Sequence, residues 1–155
     1  MECVEVASDY LINQDTMMLK PNVTGNKVST FVREESHVIC TNKSVKKILD
    51  NSCLLYGASF NGRRDFSRAF LQTDKKLPVE VSAPSNIVMF PLRSNVLGEK
   101  VWIAYHHVKD QRVISTGKME ILFTDNTTYQ IDISKSSFSR QYNLAARLVN
   151  RKHYT

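Results

Sequence analysis

The residues with the most chemical potential are cations placed beside glycines. Gly57 and Gly62 bracket a short stretch, and Arg63 and Arg64 follow the second glycine directly. Asn61-Gly62 is a turn signal, so this stretch is expected as a compact loop, although the following DFSRAF could form one or two helical turns. Arginine on a tight loop can enter a narrow minor groove, where negative potential is focused. Phe60 beside it has the shape of an apolar wedge. Arg68, Lys75 and Lys76 continue the cluster, interrupted only by Asp65 and Asp74. A second cluster, Lys135, Arg140, Arg147, Arg151 and Lys152, follows the last acidic residue, Asp132. Residues 1–50 carry a net charge of −1, which leaves +7 on residues 51–155 of a chain whose total is +6. That imbalance suits a surface that meets phosphates on one side. The expected DNA contacts are Arg63, Arg64, Arg68, Lys75, Lys76, Arg140, Arg147 and Arg151. A regulatory interaction module using the same basic face for an acidic protein partner is the alternative from a different class.

Other chemistries find less support. His106-His107 would point to opposite faces of a strand, so the pair cannot readily share a metal. No HxxxH or Cys/His cluster accompanies them, and a structural role is expected, with no metal and no cofactor. No nucleophile elbow, P-loop or carboxylate cluster marks an enzyme. Cys3, Cys40 and Cys53 are an odd set at unrelated spacings, expected as reduced and mostly buried thiols. The acidic start MECVEVASDY is unlike a secretory signal, and no run approaches the ~18 apolar residues of a membrane span, so a soluble, cytoplasmic chain is expected.

These side chains need elements to hold them. Residues 10–12, 17–19, 28–32 and 37–40 read as short strands, with a turn over Pro21–Asn26. Val45, Ile48, Leu49 and Cys53 form a helical stripe, with Ser44 suited to cap its start and Gly57 to end it. Residues 77–81, 86–90, 101–108, 112–115, 118–123 and 128–133 read as an antiparallel run, with Pro78, Pro84 and Pro91 at borders or edges and Asp125-Asn126 as the last turn. The final segment predicts an amphipathic helix. Phe138, Tyr142, Ala145, Leu148 and Val149 make its apolar stripe, and Arg140, Asn143, Arg147, Asn150 and Arg151 fall largely opposite. The fold class is α+β, one domain over residues 1–155, mainly an antiparallel sheet flanked by helices.

From Asp50 to Leu148 the chain resembles the ComK-type competence transcription factors. The matching pieces occur in order: Ser52-Cys53, Tyr56-Gly57-Ala58-Ser59 and Gly62-Arg63, then Pro84-Ser85-Asn86 with Phe90-Pro91. Trp102-Ile103 with His107-Val108-Lys109 comes next, then Ile133-Ser134, Ser137-Phe138 and Gln141. The resemblance implies an activator of DNA-uptake genes that binds paired A/T-rich boxes, chiefly through the minor groove, as a dimer or dimer of dimers. It implies help to RNA polymerase at the promoter. The longest members continue into a tail recognised by a protease adaptor, and the resemblance does not extend to that tail. Self-association is expected, with the apolar hairpin region Val101–Ile133 as a candidate surface.

Overall fold

The computed structural model describes residues 3, 5–24, 27–96 and 98–151. Lys152 of the second basic cluster, and Gly25 and Asn26 of the expected turn, lie outside the described residues. The fold is α+β. The strands are β1 (Glu5–Ala7), β2 (Thr16–Thr24), β3 (Lys27–Glu34), β4 (His37–Thr41), β5 (Val79–Ser82), β6 (Ile87–Arg93), β7 (Lys100–Ala104), β8 (Val108–Ser115), β9 (Lys118–Phe123) and β10 (Thr128–Ile131). The helices are α1 (Val45–Leu55), α2 (Phe60–Leu71) and α3 (Lys135–Val149). One sheet runs β1-β4-β3-β2-β7-β6-β5, and a second runs β10-β9-β8. Every pairing is antiparallel except that of β1 with β4.

Strand parity divides the core in two. Successive side chains of a strand leave opposite faces. In β6 and β7, Ile87, Met89, Trp102 and Ala104 join Ile48, Leu49, Cys53 and Phe60 of α1 and α2. Val88, Phe90, Leu92, Val101 and Ile103 join Met119, Ile121 and Phe123 of β9 and Phe138, Ala145 and Leu148 of α3. The large sheet is therefore buried on both faces in its middle strands, which explains their nearly unbroken apolar runs.

Several expectations hold. Ser44 caps α1 by accepting the Lys47 N–H, and Gly57 follows the helix with φ +104°. In α3, Phe138, Ala145 and Leu148 are buried, and Gln141 and Leu144 join them. Asn126 turns the chain between β9 and β10 at φ 69°, and the Asp125 carboxylate accepts from Thr127.

Others are corrected. Residues 10–12 form no strand. Side chains of α1 and of Tyr56 at its C-terminal cap satisfy this backbone instead: the Ile12 N–H donates to Ser52 Oγ, and the Tyr56 hydroxyl donates to the Ile12 carbonyl. The chain does not turn at Pro21, because β2 runs on to Thr24 and Pro21 pairs with Thr30 of β3. Its missing N–H is tolerated because the pairing of β2 with β7 covers only Met18 and Leu19. Pro91 lies inside β6, not at its border. The pairing of β5 with β6 ends at Met89, so β6 has a bare side at Pro91. Residues 101–108 are not one strand. A 3-10 turn over Tyr105–His107 passes the chain from the large sheet to the small one. Cys3 and Cys40 are joined as a disulfide, with Cα atoms 5.7 Å apart, contrary to the three reduced thiols expected. The parallel pairing of β1 beside β4 brings them together, and sequence spacing carries no sign of it. Cys53 is free and buried, and burial pushes its thiol up to about 11.

Candidate nucleic-acid interface

The largest correction falls on the arginine segment. Residues 60–71 are helix, with no loop at Gly62. Ser59 caps the helix: its Oγ accepts the Gly62 N–H at 2.9 Å, so Gly62 sits in the first turn. A Cβ at Gly62 would stand 3.1 Å from that oxygen, so glycine keeps the cap close. The two glycines thus serve different ends, one closing α1 and one opening α2. The Asn61-Gly62 turn signal is overridden because a cap and a buried stripe of Phe60, Ser67 and Leu71 both favour helix here.

A helix turns 100° per residue, so Arg63 and Arg64 diverge. Arg63 points inward. Its guanidinium lies 3.8 Å from the Glu80 carboxylate and donates to the Tyr56 carbonyl. Arg151 grips the same carboxylate with two bonds of 2.5 and 2.7 Å, and its guanidinium covers the Phe66 ring. Glu80 is 2% exposed. Two arginines expected to meet DNA are therefore occupied by one buried acid. Arg68 is paired with Asp65 and Asp74. Arg140 bonds Gln141 and Thr73. Arg147 and Lys75 are exposed.

Arg64 points into a groove. The groove has a volume of about 560 Å³ and takes its cationic walls from Lys46, Arg64, Lys76 and Lys100. None of its lining residues is acidic. Its floor is aromatic, with Phe60 and Trp102 edge to face at 6.1 Å and the Arg64 guanidinium 5.8 Å over the Phe60 ring. The position of the groove follows from strand parity. Pro91 and Arg93 of β6 and Lys100 and Trp102 of β7 share the face on which α1 and α2 pack. Arg93 and Lys100 are cross-strand partners. Like charges directly opposite are destabilising. Burial, aided by Arg93, Arg64 and Lys76, holds the Lys100 ammonium below the usual lysine range. The α3 side chain of Gln141 braces the rim by donating to the carbonyls of Lys76 and Pro91 at 2.6 and 3.1 Å.

Of the expected contacts, only Arg64 and Lys76 line this groove. Lys46, Arg93 and Lys100 were missed. For Arg93 and Lys100 the signal was present as an isolated cation on each of two strands at matching parity, but the pairing of β6 with β7 had to be known to read it.

The residues that carried the resemblance serve mostly as architecture. Ser52 and Cys53 are buried, Gly57 and Ser59 join the two helices, Trp102 and Phe138 pack in the two cores, and Pro91 receives Gln141. Ser85 and Asn86 turn the chain between β5 and β6, with Asn86 at φ 55°. His107 uses both ring nitrogens, toward Thr124 Oγ1 at 2.7 Å and the Gln14 carbonyl at 2.5 Å. It lies on the 3-10 turn, so strand parity does not govern the histidine pair. Lys109 donates to Asn126. Among the described residues, no group of three His, Cys, Asp or Glu is placed to hold a metal, and no helix is long and apolar enough to cross a membrane.

A family model described as ComK protein matches residues 7–153. A relative from Bacillus subtilis (strain 168), described as a competence transcription factor, is 27% identical over 132 residues, covering 85% of this chain and 69% of its own length. No solved structure matches the chain.

Proposed function

The chain belongs to the ComK family, and from that premise we propose that it is a transcriptional activator of competence genes that holds DNA in the groove between α1, α2 and the β6–β7 face. The observation that carries this reading is the set Lys46, Arg64, Lys76 and Lys100 around one concavity with no acid in its lining, with Arg93 opposite Lys100 on the neighbouring strand. Cations held together at a cost to the free protein gain most from a polyanion, which relieves their repulsion and releases its own condensed counterions. Phe60 and Trp102 give the same groove an apolar floor against which sugar and base edges can rest.

The family resemblance supplies the finer reading: A/T-rich boxes, entry from the minor groove, pairing of copies on the promoter, and help to RNA polymerase. Within it, Arg64 is the side chain suited to a narrow groove, since it projects from the helix into the open concavity. Arg63 and Arg151 act on stability instead. The protein works in the cytoplasm and catalyses no reaction.

The test is a salt titration of binding by fluorescence anisotropy, on an A/T-rich and a G/C-rich duplex. Four to five neutralised phosphates give a log–log slope of roughly −4. A flat response removes the polyanion reading, and equal affinity for the two duplexes removes the sequence preference. Capture of an acidic protein with no DNA binding would favour the interaction-module alternative.

A further inference from the structure

The edge strand β8 takes no part in the groove, yet it is the most exposed regular element of the fold. Every residue of β8 after Val108 is exposed, including Val113 at 50% and Ile114 at 39%. β9 pairs with one side of β8, and the other side ends the sheet. Its charges form an unfinished row. Gln130, Glu120 and Arg112 are successive cross-strand partners. Gln130 donates to Glu120 at 3.3 Å, and Arg112 donates to Glu120 at 2.8 Å. The row stops at Arg112, on the open edge. Asp110 lies two residues away on the same face. Among the described residues no cation lies within ion-pair distance of it, and its carboxylate accepts only the neighbouring Gln111 N–H.

We propose that β8 pairs antiparallel with β8 of a second copy of this chain, about a two-fold axis at Gln111. A two-fold axis perpendicular to a sheet preserves the face on which each side chain lies. The residue at the axis must therefore meet its own copy, and the allowed registers are few. With the axis at Gln111, Asp110 of each copy faces Arg112 of the partner subunit, and the reverse pair follows by symmetry. The row Gln130–Glu120–Arg112 then continues across the edge onto a carboxylate. An axis at Asp110 sets carboxylate against carboxylate, and one at Arg112 sets guanidinium against guanidinium, both unfavourable. The strand is thus self-complementary in one register and self-repelling in its neighbours. Register shifts between Val108 and Asp110 and between Val113 and Ser115 confine the regular ladder to the four residues around this axis. Bulges of this kind ordinarily blunt an edge. Here they limit self-pairing to a short, reversible contact.

This surface deepens the pairing proposed above and rests on that reading only for its use on DNA, so the association is measured without DNA. Gln111→Cys in the full chain places two thiols across the axis, with Cβ atoms about 4.5–5.5 Å apart. The native cysteines do not compete, since Cys3 and Cys40 are bonded and Cys53 is buried. A short bismaleimide should link Gln111→Cys into a dimer, while Asn143→Cys on the exposed face of α3 stays monomeric. Adding Asp110→Arg to Gln111→Cys should slow linking at least tenfold, and Asp110→Arg alone should sediment as a monomer at concentrations where the native chain dimerises. Linking of Gln111→Cys no faster than Asn143→Cys, or indifference to Asp110→Arg, overturns the assignment. Dimers on DNA without Gln111 linking reject β8 and leave the groove standing. Linking without DNA binding does the reverse.

Discussion

Arg63 and Arg64 are neighbours in the chain and belong to opposite regimes. Arg63 lies against the buried Glu80 together with Arg151. It shares one carboxylate with Arg151, and its work is to fasten α2 and the end of α3 to the edge strand β5. Arg64 stands with Lys46, Lys76 and Lys100 in a groove whose lining contains no acid. No carboxylate lies within ion-pair distance of it among the described residues, so its charge is left over. One helical step of 100° separates the two roles. The lesson is that a basic cluster counted along a sequence overstates the charge available to a partner. What matters is which cations remain after the buried acids have taken theirs.

The largest effect should come from the latch. Glu80→Ala leaves two largely buried guanidinium groups without their counter-charge. Breaking a buried pair on one side typically costs about 3–5 kcal/mol, so the urea midpoint should fall steeply. The fraction that stays folded should bind DNA with the native salt slope. A stable Glu80→Ala protein with weakened DNA binding would mean that the division between latch and groove is wrong.

Next comes the groove. Arg64→Ala with Lys100→Ala should leave the thermal midpoint near its native value and weaken binding roughly tenfold at fixed salt, with the slope shallower by about two. Anisotropy over a salt series measures both. If Arg63→Ala lowers affinity as much while the protein stays folded, the inward placement of Arg63 is refuted.

A smaller effect sharpens the comparison from the other side. Lys100 has a depressed folded-state value, so between that value and the ordinary lysine range the unfolded chain binds more protons. Stability from this group therefore rises as pH climbs through that window, and the penalty is fully present at neutral pH. Lys100→Gln should stabilise the free protein slightly, by less than about 1 kcal/mol given its partial exposure, while weakening DNA binding. A thermal melt paired with anisotropy checks it. A variant that loses both stability and affinity would place Lys100 with the latch.

The smallest effect is expected on the outer face of α3. Arg140→Ala with Arg147→Ala should change affinity by less than about threefold, because neither side chain lines the groove. A loss equal to that of the groove pair would return the terminal helix to the interface.

The α1 and α3 helices were legible in the sequence because capping and a 3.6-residue stripe are local. The Asp125-Asn126 turn was legible for the same reason. The α2 segment was misread because a turn dipeptide competed with a serine cap of similar range, and packing against β5 settled the outcome. Pro21 and Pro91 were misplaced because tolerance of a missing N–H depends on how far the neighbouring strand extends. The histidine pair was placed on a strand because no residue signal marks where one sheet hands the chain to another.

By itself the sequence determined the α+β class, the surplus of positive charge beyond residue 50 and the capped helices, since each depends on composition or on contacts within one or two turns. Tertiary structure alone decided which cations are spent and which are free. Glu80 meets Arg151 across 71 positions of chain, and Lys100 faces Arg93 only because β6 and β7 pair in that register. Charge availability is a property of neighbours in space, and a strand registers with its partner through hydrogen bonds that no single segment encodes.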